Sequence, residues 1–210
     1  MTYIKHILLL FLSVFILGIS SGCATLPNAA EKIDAAPTAQ EPPQIVSAGI
    51  GTAVALYPVV KRQGEARALG FVGSRTLEAA TIYVGIVSLM SIVTLRQAGA
   101  GAQALVTGHA LAAQYYWTFF FAQSFIPAVN GVLLGSLLYQ SRLVPRWLPV
   151  LGFIGAALLV ASWFAILFGL LGPVVPASAL LALPIAAWEF SLGVYLTFWG
   201  FRPSPITAGM

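Results

Sequence analysis

Charge is what this chain lacks. Only 8% of its 210 residues are Asp, Glu, Lys or Arg, where a soluble globular domain carries about 25%. Ten basic and six acidic side chains cannot clothe a water-exposed surface of this size, so lipid must be the solvent for most of the chain. Cysteine is nearly missing: the single Cys23 excludes an intramolecular disulfide and any Cys-based metal or redox pair. Histidine is equally scarce. His6 lies near the N-terminus and His109 in a small-residue loop, and neither has the His or carboxylate neighbours that zinc or haem needs, so no metal and no cofactor is expected. A nucleotide-binding glycine loop, a His-Glu-x-x-His motif and a Gly-x-Ser-x-Gly elbow are also missing. A Ser/His/Asp set would have to recruit Asp34 from a linker, and hydrolysis is disfavoured. The net charge of +4 does not point to nucleic acid, because the basic residues stand singly or in pairs between apolar runs instead of lining one face.

What is there is hydrophobic, 59% of the chain. Six apolar segments stand out, at Ile7–Ser20, Gln44–Val60, Leu77–Leu95, Tyr115–Tyr139, Trp147–Leu171 and Ala177–Trp199. Crossing about 30 Å of hydrocarbon takes about 20 helical residues, and only helices or closed barrels satisfy their backbone there. The expected fold is therefore all-α: an integral membrane helical bundle of about six transmembrane helices, or five if the first segment is cleaved. The bilayer is its first partner.

That first segment, within residues 1–22, follows Lys5 and His6 and ends in small residues, which is the plan of a signal peptide. Ser20-Ser21-Gly22-Cys23 resembles the lipobox of bacterial lipoproteins, in which the cysteine is lipidated, although Ser20 stands where leucine is preferred. A short first transmembrane helix ending at Cys23 is the other reading, and the two stand level. Residues 23–43 are polar and carry Pro27, Pro37, Pro42 and Pro43, as a flexible extracytoplasmic linker does. Residues 44–202 form the bundle and 203–210 a cytoplasmic tail. With the N-terminus inside, eight of the ten basic residues (Lys5, Lys61, Arg62, Arg67, Arg75, Arg142, Arg146 and Arg202) fall on the cytoplasmic side, against Lys32 and Arg96 outside. The positive-inside rule then places the C-terminus in the cytoplasm and the protein in the bacterial inner membrane.

Charged groups deep in a span are costly and mark a function or a pairing. Glu189 sits about ten residues, roughly 15 Å of rise, from the end of its segment, with Pro184 bending the helix one turn before it. Left unpaired, its carboxyl is expected to hold a proton at neutral pH. Gln123 and Asn130, flanking Pro127, are its candidate partners and repeat the broken-helix theme of transporter sites. Arg75 and Glu78 lie one turn apart at the expected cytoplasmic mouth of the third segment, where they form an interfacial pair. The alternative is that Arg75 reaches Glu189 and leaves Glu78 to receive a proton or polar substrate. Small residues at four-residue spacing, Ser47/Gly51/Ala55 and Gly131/Gly135, are expected to pack helices within the bundle, with a dimer face as the sharper reading.

The runs Ala55-Leu56-Tyr57-Pro58-Val59-Val60-Lys61-Arg62, Ala68-Leu69-Gly70-Phe71 through Arg75-Thr76-Leu77-Glu78, Tyr139-Gln140-Ser141-Arg142-Leu143-Val144-Pro145-Arg146-Trp147, and Leu183-Pro184 through Trp188-Glu189-Phe190 with Gly200-Phe201 resemble a bacterial family of multi-pass membrane proteins. It is known as domain of unknown function 4386. The resemblance covers most of Gly51 to Pro203. It implies a bundle of about six helices with Arg75, Glu78, Arg142 and Glu189 at the family's polar positions, and it implies no reaction. Family members usually have a longer second helix, which Pro42 and Pro43 are expected to cut short here.

Three functions follow as expectations. The first is binding or movement of a small molecule or proton at Arg75, Glu78 and Glu189, with Asn130 and Gln123. The second is a structural or regulatory subunit that meets a membrane-protein partner or a second copy through helix contacts. The third and least favoured is a lipid-modifying enzyme built on Glu78, Arg75 and His109, with a lipid ligand.

Overall fold

The computed structural model describes residues 42–99, 101, 103–172 and 175–207. Among them lie five helices and no strand: α1 Pro42–Val60, α2 Glu65–Gln97, α3 Gln103–Ser141, α4 Trp147–Leu167 and α5 Pro176–Phe198. Helices α2 to α5 are long and apolar enough to cross a membrane, and the described apolar part of α1, Gly49–Val60, is shorter. The expected all-α membrane bundle is therefore what forms. The signal-like segment, Cys23 and most of the linker lie outside the described residues.

Helix starts depart furthest from the sequence expectation. Helix α1 opens at Pro42 and Pro43, two residues before the expected Gln44, which suits residues with fixed φ and no N–H to lose in the first turn. Helix α2 begins at Glu65, twelve residues before its most apolar stretch, and α3 runs through the expected loop around His109. At 33 and 39 residues these helices are about 50 and 58 Å long, more than a bilayer core, so their ends project beyond it or the helices tilt. Polar residues at such ends are solvated, and apolarity alone underestimates the helix.

Each helix packs mainly on its neighbours in sequence, α1 on α2, α2 on α3, α3 on α4 and α4 on α5. The row curls so that its ends share one core, in which Leu56 of α1, Phe71 of α2, Leu134, Leu137 and Leu138 of α3 and Trp188 and Leu192 of α5 are buried together. On α3 the buried row advances in four-residue steps, Ala122, Ile126, Asn130, Leu134 and Leu138, the ridge a helix presents to its neighbours. Helices α4 and α5 approach most closely where Gly152 meets the ring of Trp188 and Gly155 meets the backbone of Ile185.

One end of the bundle gathers Lys61, Arg62, Arg67, Arg142, Arg146 and Arg202, all within a few residues of a helix end. The tail does not hang free. Arg202 donates its backbone N–H to the Leu143 carbonyl at 2.8 Å, Ser204 Oγ donates to the Ser141 carbonyl at 3.0 Å and Arg62 Nη1 donates to the Ile206 carbonyl at 3.0 Å. Arg67 ties α2 to α3 through Ser136 Oγ at 3.2 Å and Gln140 Oε1 at 2.8 Å. Arg142 holds a left-handed backbone, φ 55°, where α3 stops, a turn that favours glycine.

Candidate functional site

Three helices bring polar groups to one level. Arg75 is ten residues into α2 from the basic end, Asn130 eleven from that end of α3, and Glu189 nine from that end of α5. These separations correspond to roughly 14–17 Å of rise, about half the hydrocarbon thickness. Arg75 and Glu78, expected at the mouth of the third segment, therefore lie ten and thirteen residues inside α2, because α2 starts so far ahead of its apolar stretch.

The guanidinium of Arg75 is shared. Nη1 donates to Glu78 Oε2 at 2.9 Å and Nη2 to Glu189 Oε1 at 2.8 Å, so one cation bridges two carboxylates on two helices. Arg75 keeps its pairing with Glu78 and reaches Glu189 as well, so Glu78 is not left free as the alternative reading required. The side chains of Arg75, Glu78 and Glu189 are 11%, 13% and 16% exposed, and Arg75 also lies over the face of Phe71, 5.8 Å from its centroid, as a cation–π pair does. Asn130, fully buried, donates Nδ2 to Glu78 Oε2 at 2.7 Å. It is thus a partner of Glu78 and not of Glu189. Its Oδ1 is buried and accepts nothing.

Gln123 does not join. It lies one position to the side of the buried α3 row and is exposed, whereas Ala122 packs there against Ala79 and Ile82. His109 is also exposed and lies 21 residues before Asn130 on the same helix, roughly 31 Å away along its axis. The lipid-enzyme grouping of Glu78 with His109 is therefore not assembled. The small-residue pair on α3 is spent inside the chain, Gly131 against Ile185 and Gly135 against Phe153.

Beside Glu189 lies a pocket of about 30 Å3, enough for one or two water molecules. Arg75, Glu189 and Thr52 supply its polar wall, and Leu56, Phe71, Trp188 and Leu192 part of its apolar one. Glu78 and Asn130 are not on that wall, so Glu189 is the front carboxylate and Glu78 the rear one. The sequence reading missed this pocket and the α4 glycines that seat Trp188 and Ile185; their spacing, Gly152 to Gly155 with Ala156, was the available signal. Among the described residues no group of three His, Cys, Asp or Glu side chains is placed to hold a metal.

No curated protein and no solved structure matches the chain. The family model of the domain of unknown function DUF4386 matches residues 44–200, the span that contains all five helices but the first two residues of α1, and the chain belongs to that family.

Proposed function

We propose that this multi-pass membrane protein binds or moves a small molecule or proton at the Arg75–Glu78–Glu189 cluster. One observation carries the reading: a guanidinium shared by two carboxylates at mid-depth, with a small pocket open beside it. Intramembrane ionisable groups facing a cavity mark ion or substrate sites, and a purely structural pair needs neither the second carboxylate nor the pocket. For the subunit reading, Gly131 and Gly135 pack within the chain, whereas Gly51 of α1 meets no neighbour there.

Native mass spectrometry of the gently extracted protein tests the small-molecule half: a ligand retained by wild type and lost from Glu189→Gln, which keeps the Arg75–Glu78 pair, supports it. Identical spectra for the two would remove the small-molecule half of the proposal. The same masses report whether the chain begins at a lipidated Cys23.

In the cell, the basic end of the bundle belongs to the cytoplasmic face of the inner membrane under the positive-inside rule. A reporter fused after Arg202 is expected to be active in the cytoplasm; activity confined to the opposite side would reverse the orientation.

A further inference from the structure

We infer that the species taken up by this cluster is a single proton, carried by Glu189, and that Arg75 is the latch whose hold on α5 the proton loosens. The inference rests on the proposed binding role and narrows it.

Charge is the first argument. Two carboxylates face one guanidinium, so with all three ionised the cluster is one positive charge short, in surroundings that penalise uncompensated charge. The groups packed around it supply nothing more. The only titratable side chain of α1 is Tyr57, which donates to Glu65; α3 contributes the neutral Asn130; α4 has no titratable residue; and on α5 the only other one is Tyr195, which accepts from Arg202.

Size and ligand count are the second. A pocket of about 30 Å3 has the size of one or two water molecules. The oxygens without a recorded donor are Glu78 Oε1, Glu189 Oε2 and the buried Asn130 Oδ1, three where a hard metal cation collects six or more. A proton needs one.

Hydrogen bonding then chooses between the two acids. Glu78 Oε2 accepts from both Arg75 and Asn130, whereas Glu189 accepts from Arg75 alone and is the acid that lines the pocket a proton would arrive through. A hydronium reaching the pocket transfers its proton to the Glu189 carboxylate and leaves as water. The resulting neutral acid no longer attracts Arg75 as an anion, and Arg75 stays with Glu78 on its own helix. Glu189 is the only charged residue of α5, and the backbones of α2 and α5 have almost no contact, so this proton loosens the charged tie between the two helices.

Infrared difference spectroscopy of the full-length protein in nanodiscs, followed as the pH is lowered, tests the assignment. Wild type is expected to gain one deuterium-sensitive carboxylic C=O band per chain, shifted in Glu189→Asp and unshifted in Glu78→Asp, variants that keep two carboxylates facing Arg75. A band that instead shifts in Glu78→Asp and not in Glu189→Asp overturns the choice of acid. No band in wild type overturns the proton. If native mass spectrometry then still shows a Glu189-dependent small molecule, the binding role survives without the proton; if it shows none, both fall.

Discussion

Arg75→Gln is expected to be the most damaging single substitution in this protein. The change leaves Glu78 and Glu189 facing each other with Asn130 Nδ2 as their one remaining donor, and breaking a buried ion pair from one side costs about 3–5 kcal/mol. Against a total stability of about 5–15 kcal/mol, most of the folded population is at risk. The physical cause is the orphaned carboxylates rather than the lost arginine, so adding Glu189→Gln to the same chain is expected to restore much of the loss. Arg75→Lys restores less, because a single ammonium cannot fork to two carboxylates on different helices as a guanidinium does. Thermal unfolding followed by size-exclusion chromatography in mild detergent reads all three. An Arg75→Gln protein as stable as wild type, or a double variant no better than the single one, contradicts the bridge.

The residues of this bridge were legible in the sequence, because Arg, Glu and Asn stand out against apolar spans. Their connectivity was only half legible. The spacing of Arg75 and Glu78 gives their pairing directly, whereas the reach of Arg75 to Glu189 crosses from α2 to α5, and no local pattern encodes which helices adjoin. Gln123 and Asn130 are seven residues apart and look equivalent on a helical wheel, yet the ridge that packs on α2 advances by fours and leaves Gln123 outside. The start of α2 was misjudged for a different reason: hydropathy marks the apolar middle of a helix, and Glu65 to Thr76 fell outside the apolar segment because Arg67 and Arg75 interrupt it. His109 was misplaced in the same way, its small neighbours Gly108 and Ala110 being compatible with helix as well as with turn. The close approach of α4 and α5 at Gly152 and Gly155 went unread because a glycine shows only that a backbone can come near, not which one does.

That approach carries the second large effect. At Gly155→Ala the new Cβ would lie 2.5 Å from the Ile185 backbone nitrogen and 2.7 Å from its Cα, atoms that cannot swing aside as a side chain can. Relief requires α5 to move as a unit, and overpacking of this kind costs about 1–3 kcal/mol. Gly131→Ala provides the control, because its Cβ would meet the same residue at 3.0 Å but at Cδ1, the far end of a chain that can rotate. The two substitutions add the same methyl beside the same isoleucine, and only the first is expected to lower the thermal midpoint substantially. Ile185 and Glu189 are one turn apart on one face of α5, so the displacement also draws Glu189 away from Arg75. If the helix has moved, Gly155→Ala weakens the Arg75–Glu189 contact, and Glu189→Gln costs less in the Gly155→Ala background than in wild type, a coupling that a double-mutant cycle measures. Strict additivity would mean that α5 absorbs the methyl without shifting its acid, and Gly155 would then be a packing residue with no hold on the site.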